Sequence, residues 1–194
     1  GRFTVAGTDL HMTLADVAQR QPERRIELDS KTAASGPTWP NGCHICEVEV
    51  DPATGTVQLA SYSSVNDVGR VVNPTIVRGQ LDGGAVQGIG QALCEQMTYD
   101  AETGQLLTGS LMDYAVPRAD DMPPIELHSM HTPSPLNPLG AKGVGEAGCI
   151  GVPAAIMNAA RDALSPLGEV DLHLPLRAEQ LWFALQAATP GDTR

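Results

Sequence analysis

The segment from Thr75 to Met97 constrains the fold most, because it has helical character and yet contains five glycines. The preceding Asn73-Pro74 is typical of a helix N-cap followed by a first-turn proline. Inside a helix each glycine costs about 1 kcal/mol relative to alanine. We therefore expect either a closely packed element or a ligand to approach the backbone of this helix. The glycines are Gly79, Gly83, Gly84, Gly88 and Gly90.

The clearest local signal is a β-hairpin between residues 46 and 62. Residues 46–50 alternate between apolar and polar side chains, residues 51–55 have turn chemistry, and residues 56–62 continue as a strand. A loop rich in proline and glycine at 33–42 predicts a subdomain boundary. The mixture of hairpins and helices predicts an α+β fold with mixed β-sheet layers, packed helices and two subdomains. Further strands are predicted at 2–5, 26–29, 125–130 and 170–174, and further helices at 14–18 (with Thr13 as N-cap), 148–164 and 177–188.

Composition excludes some classes of function. The net charge of -11, with 12 lysines and arginines, argues against nucleic-acid binding, which needs clustered positive charge. The chain has no apolar run approaching the roughly 18 residues that cross a bilayer, so we expect no membrane insertion. It begins with Gly1 rather than methionine, and we interpret residues 1–194 as a fragment of a longer protein.

Two cysteines form the pattern Cys43-His44-Ile45-Cys46, which is typical of metal or redox sites. It leads directly into the alternating strand of the hairpin. If the strand already includes Cys43, the odd separation places the two thiols on opposite faces, where they cannot share a metal ion. We therefore predict structural cysteines and no metal ligands in this chain.

The loop Gly143 to Gly148 matches GxGxxG, the fingerprint of dinucleotide-binding folds. That fingerprint must follow a buried strand. Residues 134–139 precede the loop and include two prolines, which cannot donate to the ladder of a central strand. An NAD-dependent oxidoreductase that uses this loop is therefore an alternative hypothesis.

Four segments occur in a fixed order along the chain. They are the hairpin 47–55, residues 66–69 with Asn73-Pro74, Gly79-Gln80 ahead of residues 83–90, and Gly143-Val144-Gly145-Glu146 ahead of an alanine-rich helix. Together they cover residues 43 to 186 and resemble the C-terminal half of the molybdopterin-binding (large) subunit of the molybdenum hydroxylases. This family includes xanthine dehydrogenase, aldehyde oxidoreductase and aerobic carbon monoxide dehydrogenase.

The resemblance implies roles for individual residues. It makes Glu146 the catalytic general base beside the molybdenum, in a closed pocket, and Gln80 a side chain that approaches the metal's oxo ligand. The backbone of Gly143, Val144 and Gly145 would contact the cofactor. Lys142 would hydrogen-bond either nearby carbonyls or a cofactor phosphate. Two simpler expectations are that Asp67 ends a strand and bonds the following turn, and that Glu146 only complements a helix dipole, worth about 0.3–1 kcal/mol.

The resemblance also implies a function for the complete protein. Such enzymes oxidise an aldehyde, an N-heterocycle or a similar small substrate, with water as the oxygen source. The implied cofactor is molybdopterin with molybdenum, in its cytosine dinucleotide form. Iron–sulfur (2Fe-2S) clusters and FAD would lie on other domains or subunits, and the remainder of the molybdopterin subunit would be a partner.

Three further expectations complete the hypothesis. We expect a cytoplasmic protein, with the periplasm as the alternative. We expect the fragment alone to be catalytically inert, because the upstream loops that hold the rest of the pterin have no counterpart here. A third reading, from a different class, is a non-catalytic interaction domain whose glycine-rich helix packs against a partner subunit.

Overall fold

A computed structural model of the chain describes residues 1–31, 33 and 35–188. The chain divides into two compact units, Gly1–Ala34 and Ser35–Arg194. The division lies in the stretch 33–42, where a subdomain boundary was predicted; residue 34 of that stretch lies outside the described residues. The candidate site residues all belong to the second unit.

The first unit is a small hairpin followed by a short helix. Strand β1 (Arg2–Thr4) pairs antiparallel with β2 (His11–Thr13), and α1 (Leu14–Gln19) follows directly. The predicted cap of α1 is confirmed, because the Thr13 hydroxyl accepts from the amide of Asp16, and the Asp16 carboxylate accepts from the amide of Thr13. The predicted strand at 26–29 is wrong. Those residues are exposed and irregular, because no described strand satisfies their backbone groups.

The second unit contains a three-stranded mixed sheet in the order β3-β4-β5. Strands β3 (Asn41–Val50) and β4 (Val57–Asp67) form the predicted hairpin, with a bulge between Glu47 and Val48. Strand β5 (Ile125–Met130), also predicted, pairs parallel with β4. The mixed sheet confirms the expected α+β class.

Three helices pack with this sheet: α2 (Pro74–Leu93), α3 (Val152–Ala163) and α4 (Ala178–Ala188). Two short 3₁₀ turns, Ala119–Asp121 and Ser165–Leu167, lie between them. The core is built from buried apolar side chains of the sheet, the helices and the segment before α4. Its largest members are Tyr62, Ile89, Ile156, Leu181 and Val152.

Two predicted elements need correction. Helix α3 begins at Val152, not at Gly148, because Cys149 and Ile150 donate to the Glu146 carbonyl within a run of turns. Residues 170–174 are not a strand. Their alternation reflects burial of Leu172 in the core, and the chain just beyond is tied to α2, where the Leu176 amide donates to the Ala92 carbonyl at 2.7 Å.

The predicted N-cap of α2 is confirmed, and its glycines divide into two groups. The Asn73 side chain accepts from the amide of Ile76. A Cβ on Gly84 would lie 3.0 Å from the Cα of Gly148, and one on Gly88 would lie 2.6 Å from the Cβ of Val152. Close packing therefore explains these two glycines. It also explains Gly90, where a Cβ would lie 2.9 Å from the ring of Pro117. A Cβ on either of the remaining two, Gly79 and Gly83, would meet nothing within 4 Å.

Candidate functional site

Glu146 lies in a run of turns that connects the glycine-rich loop to α3. Its carbonyl accepts from the amides of Cys149 and Ile150, at 3.0 and 3.1 Å. Its side chain is exposed, and in the described part of the chain no residue hydrogen-bonds or ion-pairs with its carboxylate. The closed pocket that we expected is therefore not formed by these residues, which hold the main chain of Glu146 and leave the carboxylate uncovered.

The structure does not support the simpler role for Glu146, which was to complement the dipole of the following helix. Helix α3 begins at Val152, so Glu146 precedes the helix by more than one turn, and the dipole effect falls off within the first turn. The position of Glu146 is instead set by the loop.

Gln80 reaches this loop from α2. Its amide nitrogen Nε2 donates to the carbonyl of Gly145 at 2.9 Å. The structure therefore brings together the two residues that the sequence marked as catalytic, although they lie far apart along the chain. Gln80 is bound to the peptide immediately before Glu146, and its assigned contact with the metal's oxo ligand remains a prediction.

The loop backbone is anchored at one point and open at another. The amide of Gly143 donates to the carbonyl of Thr38 at 3.2 Å, and the amide of Ala147 donates to that of Val144 at 3.3 Å. A Cβ added to Gly145 would meet nothing within 4 Å. The cofactor contacts assigned to Gly143, Val144 and Gly145 remain predictions.

Lys142 has a well-defined partner within the chain. Its Nζ lies 3.2 Å from Oδ2 of Asp67, and the two side chains are only 11% and 9% exposed. A hydrogen bond at 3.4 Å to Oδ1 of Asn41 adds to this contact. These partners give Lys142 a structural role, and its proposed contact with a cofactor phosphate remains a prediction.

Asp67 ends β4 and bonds the turn that follows it, as predicted. Its Oδ1 accepts from the amides of Gly69 and Thr132, at 2.9 and 3.1 Å. Hydrogen bonds from Thr132, Gly69 and Lys142 hold the pKa of the Asp67 carboxyl far below its usual range, against the opposing effect of burial. A carboxylate that is so fully engaged is not a base.

The glycines without neighbours form an accessible surface around the contact between Gln80 and Gly145. Gly79 and Gly83 flank Gln80 on α2, and Gly145 lies in the loop that Gln80 binds. A Cβ on any of the three would point into open space. Bare backbone is therefore open to close approach at these three positions, which is compatible with a bound molybdopterin; the contact itself remains a prediction.

Two further residues at the site were not identified from the sequence. The hydroxyl of Tyr62 lies 2.5 Å from Nδ1 of His44, and the His44 ring packs against Gly151 in the turn that follows Glu146. A signal did exist, because His44 occupies the inward face of β3 together with Cys46, and Tyr62 pairs opposite Cys46. A histidine on the inward face of a strand needs partners, and the sequence alone does not show which ones.

The CxxC residues lie on opposite faces of β3, as predicted. Cys43 is exposed and Cys46 is half-buried, and burial raises the pKa of the Cys46 thiol. All four cysteines are free. Within residues 1–31, 33 and 35–188, no three His, Cys, Asp or Glu side chains cluster in a way that could hold a metal ion.

The GxGxxG loop lacks the context of a dinucleotide site. Residues 131–140 ahead of it have no strand, and Ala141 makes only an isolated antiparallel bridge with Gly69. The loop therefore does not connect a central parallel strand to a helix, which the NAD-binding fingerprint requires.

Comparison with known proteins agrees with this geometry. The family model described as "Molybdopterin cofactor-binding domain" matches residues 1–123, which include Gln80. The large subunit of nicotine 6-hydroxylase from Paenarthrobacter nicotinovorans is 46% identical over 159 residues, which are 82% of this chain and 19% of that protein. The chain belongs to the molybdopterin cofactor-binding family of the molybdenum hydroxylases.

A second relative and a solved structure extend the match beyond the family model. Subunit gamma of the 6-hydroxypseudooxynicotine dehydrogenase complex, from the same organism, is 38% identical over 99% of this chain and 25% of its own length. Quinoline 2-oxidoreductase from Pseudomonas putida 86 superposes with a TM-score of 0.72 at 42% identity, over 76% of this chain and 19% of that chain. The chain thus spans about a fifth to a quarter of the length of these relatives. None of the helices in its described part combines the length and apolarity that a bilayer crossing requires.

Proposed function

We propose that this chain is the C-terminal part of the large subunit of a molybdenum hydroxylase and carries that enzyme's general base, Glu146. The observation that carries the proposal is the state of the Glu146 carboxylate. It is exposed, it has no partner among the described residues, and its main chain is fixed by hydrogen bonds beside a bare glycine surface. A base must be free to accept a proton and yet held in place.

N-heteroaromatic compounds are the substrate class that the relatives favour. Nicotine 6-hydroxylase and quinoline 2-oxidoreductase, at 46% and 42% identity, are both named for nitrogen heterocycles. Carbon monoxide dehydrogenase from Hydrogenophaga pseudoflava is more distant, at 36% identity. Hydroxylation of a ring carbon beside nitrogen, with water as the oxygen source, is therefore the proposed reaction.

Molybdopterin with molybdenum supplies the redox chemistry when it is bound. The residues of this chain position it and move a proton. The helix surface at Gly79 and Gly83, together with Gly145 of the loop, allows close approach, because a Cβ at any of these three positions would meet nothing within 4 Å. A Cβ on Gly143 would lie 3.6 Å from the carbonyl oxygen of Thr38, which is ordinary van der Waals contact. Gln80 uses one amide proton on Gly145 and retains a second, which can be donated to an oxygen of the bound group. Glu146 accepts the proton released during substrate oxidation.

The rest of the enzyme follows from the same proposal. The cofactor is in its cytosine dinucleotide form, and iron–sulfur (2Fe-2S) and FAD domains or subunits receive the electrons. The remainder of the large subunit completes the pocket around Glu146. The complex is cytoplasmic, and the 194-residue chain by itself is inert.

The test is the substitution Glu146→Gln in the complete enzyme. It keeps the shape of the side chain and removes its basicity, so kcat should fall by about 10²–10⁴-fold. Molybdenum content, measured by metal analysis, should stay at the level of the parent enzyme. Glu126→Gln, at an exposed carboxylate on β5, is the matched control and should leave turnover unchanged. Full turnover by the Glu146 variant would overturn the proposal.

A further inference from the structure

His44 links the sheet to the turn that carries Glu146. It lies on the inward face of β3 and is half-buried, while its hydrogen-bond partner Tyr62 is only 1% exposed. The hydroxyl of Tyr62 lies 2.5 Å from His44 Nδ1, and the two rings meet edge to face with centroids 6.1 Å apart. The imidazole is therefore held in one orientation by a residue of the hydrophobic core.

The opposite side of the His44 ring faces the turn. A Cβ on Gly151 would lie 2.6 Å from Cγ of His44, so only glycine leaves room for the ring at this point. Burial lowers the pKa of His44, whereas a hydrogen bond to the main chain of Ala147 raises it. The imidazole thus lies between the Tyr62 hydroxyl on one side and the turn that carries Glu146, at Ala147 and Gly151, on the other.

The bond to Tyr62 also bears on the tautomer of the ring. The hydroxyl of Tyr62 and Nδ1 of His44 form one hydrogen bond, and which atom donates depends on the tautomer. Where the hydroxyl donates, the proton of the neutral ring lies on Nε2, which is the nitrogen on the side of Gly151.

Glu146 is therefore held from both sides. Gln80 of α2 binds the carbonyl of Gly145, the residue before it, and the His44 ring of β3 packs against Gly151, in the turn that follows it. The carboxylate between them makes no hydrogen bond or ion pair in the described part of the chain. Its position consequently depends on how the loop and the turn are held, and small misplacements of a catalytic group cost large factors in rate.

We propose that His44, oriented by the Tyr62 hydroxyl, is a positioning residue that holds the turn from Ala147 to Gly151 and thereby aims the Glu146 carboxylate. This inference rests on the proposed role of Glu146 as the base. It assigns a function to a histidine that the CxxC pattern had marked only as a neighbour of two cysteines.

The experiment compares His44→Leu, His44→Gln and Tyr62→Phe in the complete enzyme. For His44→Leu we expect kcat to fall about 10- to 100-fold, with KM and molybdenum content unchanged. Glutamine retains a donor, so His44→Gln should recover most of the loss. Tyr62→Phe keeps the ring and removes only the hydroxyl, so it should show a smaller loss in the same direction. His128→Gln, at an exposed histidine on β5, is the control and should match the parent enzyme.

Hydrogen exchange gives a readout that does not depend on turnover. The amides of Ala147, Cys149 and Ile150 are hydrogen-bonded within the turn, so a peptide covering residues 144–152 should exchange faster in His44→Leu. His44→Leu should also cause no further loss of kcat when Glu146 is already glutamine, because both residues act through the same carboxylate.

Different failures have different meanings. If Glu146→Gln abolishes turnover and His44→Leu has the kcat of the parent enzyme, the positioning role is wrong and the base survives. If His44→Leu loses molybdenum or raises KM, and glutamine does not rescue it, His44 only supports folding and the inference is overturned. If Glu146→Gln is fully active, both the proposed function and this inference fail.

Discussion

Two carboxylates close to the glycine-rich loop behave in opposite ways. Asp67 is 7% exposed and engages Lys142, Gly69 and Thr132. Glu146 is exposed, and no described residue bonds its carboxylate. The Asp67 carboxylate thus holds Lys142 at the start of the loop, whereas the Glu146 carboxylate holds nothing and only the main chain of that residue is bonded.

The difference separates structure from chemistry. Several hydrogen-bond donors stabilise the ionised form of a buried carboxylate. Its oxygens are then occupied and do not accept an external proton easily. A carboxylate that is held only through its backbone keeps both oxygens available for an external proton. Both acidic residues lie near the glycine-rich loop, but only Glu146 has a carboxylate that no described residue bonds.

The largest effect on stability is expected for Asp67→Asn. The change leaves the Lys142 ammonium, which is only 11% exposed, without its carboxylate. Removing one partner of such a pair should lower the free energy of unfolding by about 3 kcal/mol. Urea denaturation of the chain measures it. Asp82→Asn, which breaks the exposed pair with Arg78, is the control and should change the free energy by less than about 1 kcal/mol. Equal effects at the two positions would mean that burial of the Asp67–Lys142 pair adds nothing to stability.

The hydrogen bonds of Asp67, chiefly that from the Thr132 side chain, also predict that stability depends on acid. Because the pKa of Asp67 is lowered in the folded chain, its contribution to stability is present above the unfolded pKa of about 3.9. It is lost as the pH falls from there through the lower folded pKa. The free energy of unfolding should therefore decrease below about pH 4, and Asp67→Asn should make that decrease shallower. Parallel pH profiles for the parent chain and the variant would contradict this assignment.

The second effect concerns the packing of the Glu146 turn on α2. A Cβ on Gly148 would collide with the carbonyl of Leu81 and lie 3.1 Å from the Cα of Gly84, and backbone cannot move aside cheaply. Gly148→Ala should therefore destabilise the chain by about 2 kcal/mol. Gly83→Ala, on the open side of the same helix, should stabilise it by about 1 kcal/mol through helix propensity. Thermal or urea denaturation of both variants distinguishes the two groups of glycines.

Local patterns were predicted well from the sequence. The hairpin of β3 and β4 follows from alternation and turn residues, and the caps at Thr13 and Asn73 follow from side chains that bond amides three residues ahead. Each of these features is decided by residues close together in the chain, so the sequence contains all the information that they need.

Features that depend on distant partners were predicted poorly. The first residues of β3, from Asn41 to Ile45, have no clear alternation, and they are strand because β4 lies beside them. Residues 170–174 alternate but pack on helices rather than on a strand. Alternation reports which side chains are buried and does not report which element buries them.

The site divides along the same line. Glu146 and Gln80 were identified through resemblance to a family, and the structure adds the hydrogen bond that brings them together. His44 could not be identified in this way, because its role depends on Tyr62 and on a turn more than a hundred residues away. The spacing of residues within the CxxC segment does not show which distant residues contact His44.

The smallest effect, and the sharpest check on the comparison, is the stability of Glu146→Gln. A carboxylate without partners in the described chain contributes no hydrogen bond or ion pair to the fold, so its neutralisation should change the free energy of unfolding by less than about 0.5 kcal/mol. Urea denaturation beside Asp67→Asn makes the measurement. A loss as large as that of Asp67→Asn would mean that Glu146 holds the loop through its side chain, and its availability as a base would then lose its physical ground. A near-zero change in the free energy of unfolding, together with lost turnover in the complete enzyme, would show that Asp67 acts in folding and Glu146 in the reaction.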